Sequence, residues 1–377
     1  MMRTGRTSVS AVVCLLVCCW AFAVAAAQDL LVDSEQRLGN EASWAVALGD
    51  VDGDGDLDAV VANLDAGAIV WLNDGTGHFT DFGQRLAIGA YLALADLDGD
   101  GALDIVFGSP DQPVTVWWND GSGTFVQGET PLAPAGCSAL GVGDLSGDGR
   151  QDIFVGMRDA DLVLFNMGDR TFADSGQRFG SAPTGGVALG DMDGDGDLDV
   201  VTAGWDEPGH VWQNDGTGTL TALCELATTT LHVHGIAVGD VDADGDLDVF
   251  FALAGGICCR NIWLNDGTGR LTPRGSNVGA PDNQGIAVGD LNLDGRLDIV
   301  LANGMVSPLS STVRLGQEAW FVDSGLRMGS AFAGGVALGD LDGDGDLDLF
   351  IAFLSLVGPP YVQNPHPNEV WFNTTNE

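Results

Sequence analysis

Lysine is missing altogether. All 14 basic residues of the 377 are arginine, set against 54 acidic ones, and the formal net charge is −40. So acidic a chain is repelled by nucleic acid and by anionic lipid, which argues against both as partners. Histidine (5) and tyrosine (2) are scarce, the histidines are scattered, and no Gly-x-Ser-x-Gly elbow occurs. A serine-hydrolase triad therefore has no visible basis. Of seven cysteines, Cys14, Cys18 and Cys19 fall in the N-terminal apolar segment, leaving Cys137, Cys224, Cys258 and Cys259. No Cys-x-x-Cys pair is among them, so zinc or thioredoxin-type chemistry has no support, while one or two disulfides of open pairing remain. No stretch has helical period over a useful length.

Residues 1–27 read as a secretory signal, with Arg3 and Arg6, an apolar run from Ala11 to Ala23, and small residues at Ala25-Ala26-Ala27 before Gln28. The run is short for a membrane span and no second one follows. A secreted protein, with or without attachment to the cell surface, is expected; a retained N-terminal anchor is the alternative. Removing the two arginines takes the charge from −40 to −42.

What the chain has in abundance is aspartate in one recurring pattern. The clearest copy is Asp191-Met192-Asp193-Gly194-Asp195-Gly196-Asp197-Leu198-Asp199. Related nine-residue loops cover 50–58, 96–104, 144–152, 240–248, 290–298 and 340–348. At positions 1, 3, 5, 7 and 9 they carry Asp50, Asp52, Asp54, Asp56 and Asp58; Asp96, Asp98, Asp100, Ala102 and Asp104; Asp144, Ser146, Asp148, Arg150 and Asp152. The later copies carry Asp240, Asp242, Asp244, Asp246 and Asp248; Asp290, Asn292, Asp294, Arg296 and Asp298; Asp340, Asp342, Asp344, Asp346 and Asp348. Position 6 is glycine throughout, as a sharp turn there requires. A hard cation such as Ca²⁺ takes six to eight oxygens, and carboxylates at positions 1, 3, 5 and 9 with the carbonyl of position 7 supply them. Up to seven Ca²⁺ are expected.

An EF-hand needs a glutamate at position 12 and flanking helices. Position 12 here is Val61, Phe107, Val155, Thr202, Phe251, Leu301 or Ile351, so the loop leads into a strand. Plain turn formation would not demand four mutually repelling carboxylates in one loop.

Successive loops start 46, 48, 47, 49, 50 and 50 residues apart. Each unit reads as a small-residue apolar strand (Gly186-Val187-Ala188-Leu189-Gly190), the loop, a second strand (Ala59-Val60-Val61-Ala62), a third with an aromatic (Val70-Trp71-Leu72), a turn such as Asn73-Asp74-Gly75, and a fourth strand. Seven units of four strands predict an all-β, seven-bladed propeller of antiparallel blades over residues 28–377. The rival is a linear β-solenoid, and the chain ends decide. The last unit stops after its third strand, Val370-Trp371-Phe372. The N-terminal Val32-Asp33-Ser34 with Gln36-Arg37-Leu38 matches the fourth-strand segment 173–180. The first strand thus completes the last blade, and closure removes exposed edges. Trp71, Trp117, Trp212, Trp263 and Trp371 recur at one blade position and are assigned to the core between blades.

These units resemble FG-GAP/VCBS-type repeats, the calcium-binding blades of integrin α-subunit heads and of many secreted bacterial proteins. The resemblance covers the mature chain, although the literal Phe-Gly…Gly-Ala-Pro string is absent, which favours the bacterial form. It implies that the loops join strands one and two on one face and that ligands use the opposite face. Ser146 and Asn292 replace a carboxylate at position 3, so these two sites are expected to hold metal less tightly.

The opposite face carries the variable connections, including Arg158-Asp159-Ala160-Asp161, Trp205-Asp206-Glu207-Pro208, the segment around Cys258, Cys259 and Arg260, and the insert 356–368 with Tyr361 and His366. Trp44 and Tyr91 start innermost strands and are placed at the channel mouth. His232 and His234 form a weak transition-metal pair, and Asn373-Thr374-Thr375 is a glycosylation sequon. The leading expectation is a monomeric, extracellular binding or adhesion module for a protein or glycan, with no catalytic residues and structural Ca²⁺. The rivals are a polysaccharide lyase or hydrolase, using Tyr91 or Tyr361 with Arg158 or Arg260, and a purely architectural module.

Overall fold

Runs such as Asp58-Ala59-Val60-Val61-Ala62-Asn63 are buried at every residue, as a strand covered on both faces must be. In the computed structural model such strands form the second position of each of seven four-stranded antiparallel sheets. The described residues are 30–376 apart from 206–207, 227–231, 255–260, 275–282, 305–309, 318–319, 355, 358–361 and 364–365. Among them there is no helix, and so none able to cross a membrane.

The first blade shows the plan. Ser43–Gly49 is innermost, followed outward by Asp58–Asn63, Ile69–Asn73 and Phe79–Arg85. The innermost strands of successive blades touch, and Ala333–Gly339 of the seventh returns to Ser43–Gly49 of the first, so the ring is closed. Close approach at the axis explains the small residues there: a Cβ on Gly185 would lie 1.8 Å from the carbonyl of Val233 in the next blade.

Closure follows the expected route. Leu31–Leu38 pairs antiparallel with Asn368–Asn373, with Leu31 opposite Asn373 and Leu38 opposite Asn368. The seventh blade is therefore built from both ends of the chain. The solenoid is excluded.

Among the described residues, glutamine amides tie blades together at three places. On the outside, Gln84 donates from Nε2 to the carbonyl of Phe125 (2.6 Å) and accepts from its N–H (3.0 Å). Gln36 and Gln177 do the same to the hairpins of their own neighbours. Between blades the aromatic third strands are core, as assigned: Trp71 and Trp263 are buried, and Trp117, Trp212 and Trp371 pack against adjoining core clusters.

One irregularity recurs and bears on function. The innermost strand slips register by one residue between Ser43 and Ala45, and the same bulge occurs at Cys137/Ala139, Thr184/Gly186, Val233/Gly235, Asn283/Gly285 and Ala333/Gly335. The skipped residues include Trp44, Ser138, Gly185 and His234. A bulge re-aims the side chain it carries, and these sit at the end of the strand away from the acidic loops.

Candidate functional site

Each acidic loop joins the end of an innermost strand to the start of the second strand. The position-1 carboxylate organises the turn: Asp50 accepts from the N–H of Gly53 (2.7 Å) and of Gly55 (3.0 Å). Asp96, Asp191 and Asp340 repeat the pair. The position-6 glycines all take positive φ, from 82° to 99°. L-residues avoid that region.

Position 9 is also the first residue of the second strand, and it is buried in every blade. Asp58 accepts from the N–H of Val51 (2.9 Å) and of Asn73 (2.8 Å). Burial nevertheless dominates: it pushes the carboxyls of Asp58, Asp104, Asp199, Asp248 and Asp298 up to about 6, that of Asp348 to about 7, and that of Asp152 upward. Ionising at neutral pH an acid moved from 3.8 to about 6 costs about 3 kcal/mol. Several such costs rival the roughly 5–15 kcal/mol net stability of a folded domain. A positive charge at each loop would relieve them.

The donor set fits a hard cation. Oxygens of Asp50, Asp52 and Asp58 lie within 4.8 Å of one another, as do those of Asp96/Asp98/Asp104, Asp191/Asp193/Asp199, Asp240/Asp242/Asp248 and Asp340/Asp342/Asp344. Asp193 Oδ1, Ser146 Oγ and Asp346 Oδ1 are buried with no hydrogen-bond partner. Orphaned oxygens in a carboxylate loop are what a missing ligand bond leaves behind. Position 5 joins the cluster only in the seventh loop. In all seven loops the position-5 Asp, such as Asp54, Asp100, Asp195, Asp244 and Asp344, accepts the N–H two residues on.

The two divergent loops form no such three-acid group among the described residues. In the third, the Arg150 guanidinium pairs with Asp148 and donates from Nε to the carbonyl of Asn166 (2.9 Å). A second arginine intrudes from outside its own blade. Arg170 pairs with Asp98 at 2.6 Å while lying 4.9 Å over the Trp118 ring.

Sequence reasoning missed the residue that links the loops. Asn73 donates from Nδ2 to the carbonyl of Leu57 in its own loop (3.1 Å) and of Leu341 in the preceding one (2.7 Å). Asn119, Asn166, Asn214, Asn265 and Asn373 repeat this around the ring. The sixth blade has Gly316 instead, packed so that a Cβ would lie 2.3 Å from the carbonyl of Leu297. The sequon reading of Asn373 is thereby corrected: its side chain is fully buried and bonded to the carbonyls of Leu291 (2.7 Å) and Leu347 (3.1 Å), with no room for a glycan.

On the opposite face, a cavity of about 680 Å³ opens where the innermost strands begin. Trp44 and Tyr91 reach it as expected, their rings 6.5 Å apart and edge to face. Trp205, His234, Arg158 and Asp111 join them. Trp205 donates from Nε1 to the carbonyl of Val233 (3.2 Å) and packs against His232 and His234 at 5.8 and 5.4 Å. The histidine pair thus supports an indole, and no three-residue metal group among the described residues includes it. Cys137 and Cys224 are free thiols, so no disulfide joins them, and burial pushes the Cys137 thiol up to about 12. Cys258, Cys259, Arg260, Tyr361, Asp206 and Glu207 lie outside the described residues, as does the segment 1–27.

Comparison with known proteins agrees with this geometry. Among solved structures, a lectin from Burkholderia pseudomallei, BP39L, is similar with a TM-score of 0.62 at 13% identity, covering 88% of this chain and 98% of that one. A lectin of Agrocybe aegerita, studied for specific recognition of non-reducing terminal N-acetylglucosamine, has a TM-score of 0.52 at 19% identity, covering 85% and 87%. BBS1N in complex with ARL6DN gives 0.57 at 12%, covering 92% and 98%. At such identities the likeness is one of fold. Comparison with curated proteins finds no match. The FG-GAP-like repeat matches residues 50–107, 96–155, 144–202 and 191–251, each stretch running from one acidic loop into the second strand of the next blade. These stretches span more than half of the sequence, and the chain belongs to the FG-GAP-like repeat family.

Proposed function

We propose that this propeller is a calcium-organised, extracellular binding module whose ligand, a glycan or a protein, docks on the face opposite the acidic loops. The observation that carries the reading is the preformed aromatic cavity on that face. Recessed aromatics with a few polar groups, held on a rigid scaffold, are the usual form of a ligand site. The two lectins of similar fold are consistent with it. Ca²⁺ would be held by the carboxylates at positions 1, 3 and 9, or 1, 3 and 5 in the seventh loop, with the position-7 carbonyl. Its contribution is charge neutralisation that lets the loops fold. All-oxygen donors suit a hard cation, and no sulfur or imidazole competes within the loops.

The lyase reading has one observation in its favour, since Tyr91 and Arg158 line the same cavity. Burial pushes the Tyr91 phenol up to about 12. A general base works best with a pKa near the working pH, so binding is favoured over elimination. Glycan and protein arrays, probed in calcium and again in EDTA, test the proposal. Calcium-dependent binding without unsaturated sugar products is expected. Such products would establish the lyase, and no binding on either array would refute the binding module. Export with cleavage before Gln28 in a secreting host tests the extracellular assignment, and retention of the full chain inside the cell would contradict it.

A further inference from the structure

We infer that the cavity at the mouth of the axis takes the uncharged end of a glycan, stacked against Trp205 and bonded through the Arg158–Asp111 pair. This rests on the reading of the opposite face as the ligand surface, and it adds the ligand class and the residues that choose it.

The first argument is the aromatic platform. Trp205 is 39% exposed, yet its indole is fixed by the Val233 carbonyl and by two imidazoles. A large ring held rigid while facing water loses little conformational freedom when a ligand arrives. Leu64 (38%) and Ile88 (53%) are exposed on the same rim, so three of the exposed large apolar residues converge on one opening. A sugar ring has apolar C–H faces edged by hydroxyl groups, and flat aromatic walls interrupted by polar groups complement it.

The second argument is size. A volume of about 680 Å³ falls in the roughly 300–1,000 Å³ range of small-ligand sites. A stable protein partner needs about 800 Å² of contact on each side, which a recess of this kind does not present. A purely apolar ligand would cover Arg158 and Asp111 while leaving each only the other as a partner, in place of water.

The third argument is charge. Arg158 and Asp111 stand 3.7 Å apart with side chains 55% and 85% exposed, a loose pair whose charges cancel. Guanidinium N–H groups donate and carboxylate oxygens accept, which together suits neighbouring hydroxyls of one sugar. The chain as a whole carries −40, so a uronate or sulfated glycan meets a repulsive field, and a neutral one does not.

The test uses the full mature chain with calcium, titrated by calorimetry and by indole fluorescence. The probes are neutral trisaccharides of hexoses and of N-acetylhexosamines, together with uronate-ended counterparts. One neutral trisaccharide per chain is expected to bind with a fluorescence change. Trp205→Ala and Arg158→Ala should each weaken it at least tenfold, Trp205→Phe should retain most of it, and Trp320→Ala, at an exposed indole elsewhere, should leave it unchanged. Unaltered melting of each variant excludes misfolding. Uronate-ended probes should bind at least tenfold more weakly. Neutral binding indifferent to Trp205→Ala, or preference for the uronates, overturns the inference. So does failure of every trisaccharide to bind while a protein on the array does, an outcome that leaves the binding-module reading standing. Failure of both brings down that reading as well.

Discussion

The Nδ2 of Asn119 lies 2.7 Å from the carbonyl of Val51, so one amide on the second blade secures the acidic loop of the first. The same nitrogen holds the carbonyl of Leu103 at 3.0 Å in its own loop. Neighbouring acidic loops are therefore joined through a single side chain. The first prediction is that Asn119→Ala strands two carbonyls and costs about 2–3 kcal/mol. It should lower the urea midpoint and weaken calcium binding at both adjoining loops. A variant with wild-type midpoint and calcium affinity would show that the linkage carries no energy.

The buried position-9 carboxyls set a pH dependence. Their folded pKa is raised from 3.8 to about 6, and to about 7 in Asp348, so the fold binds protons that the unfolded chain does not. Stability from this source is complete below about pH 4 and is lost as pH rises through 6 to 7. Calcium-depleted protein should accordingly lose urea resistance progressively between about pH 4 and pH 7. With saturating calcium the ion replaces the protons, and this loss should vanish. Equal declines in both samples would contradict the role given to these carboxyls.

Metal should leave the seven loops in a definite order. The third loop has Ser146 in place of a carboxylate and Arg150 paired with Asp148, and the sixth has Asn292. Fewer ligand charges lower affinity. Crystals soaked in graded chelator, with occupancy read by anomalous scattering from a substituted cation, should lose these two ions first. Finding them the last to empty would reverse the argument.

Ring closure can be tested by deletion. Removing the chain through Leu38 strips the outer strand from Asn368–Asn373 and exposes its edge. Unpaired edges recruit other strands. The truncated protein is expected to associate or to lose its cooperative transition, as seen by size-exclusion chromatography and circular dichroism. A monomer melting like the full chain would contradict the closure described.

The fold was legible because two signals are strictly periodic. Aspartates spaced two apart recur every 46 to 50 residues, and the segment from Val32 to Leu38 repeats one found in the middle of the chain. The bulges at Trp44 and His234 leave no mark in composition, since a one-residue slip changes register without changing residue type. Asn119 and its counterparts were hidden inside a turn signature that asparagine joins for reasons of its own. Asn373 was read as a sequon because Asn-Thr-Thr fits that pattern, and a three-residue pattern does not show burial. The intrusion of Arg170 on Asp98 depends on how two blades face each other, which a local pattern does not encode.

Thermal unfolding with and without calcium tests the central claim most directly. At 10 mM calcium and dissociation constants of about 10⁻⁴ to 10⁻³ M, each loop gains about 1.4–2.7 kcal/mol. Five clustered loops together then contribute as much as a typical domain's whole net stability. The account predicts a midpoint that rises steeply with calcium, with more than one ion bound per chain by calorimetry, and that collapses in EDTA. An identical midpoint in calcium and in EDTA, with no heat of binding, would contradict it.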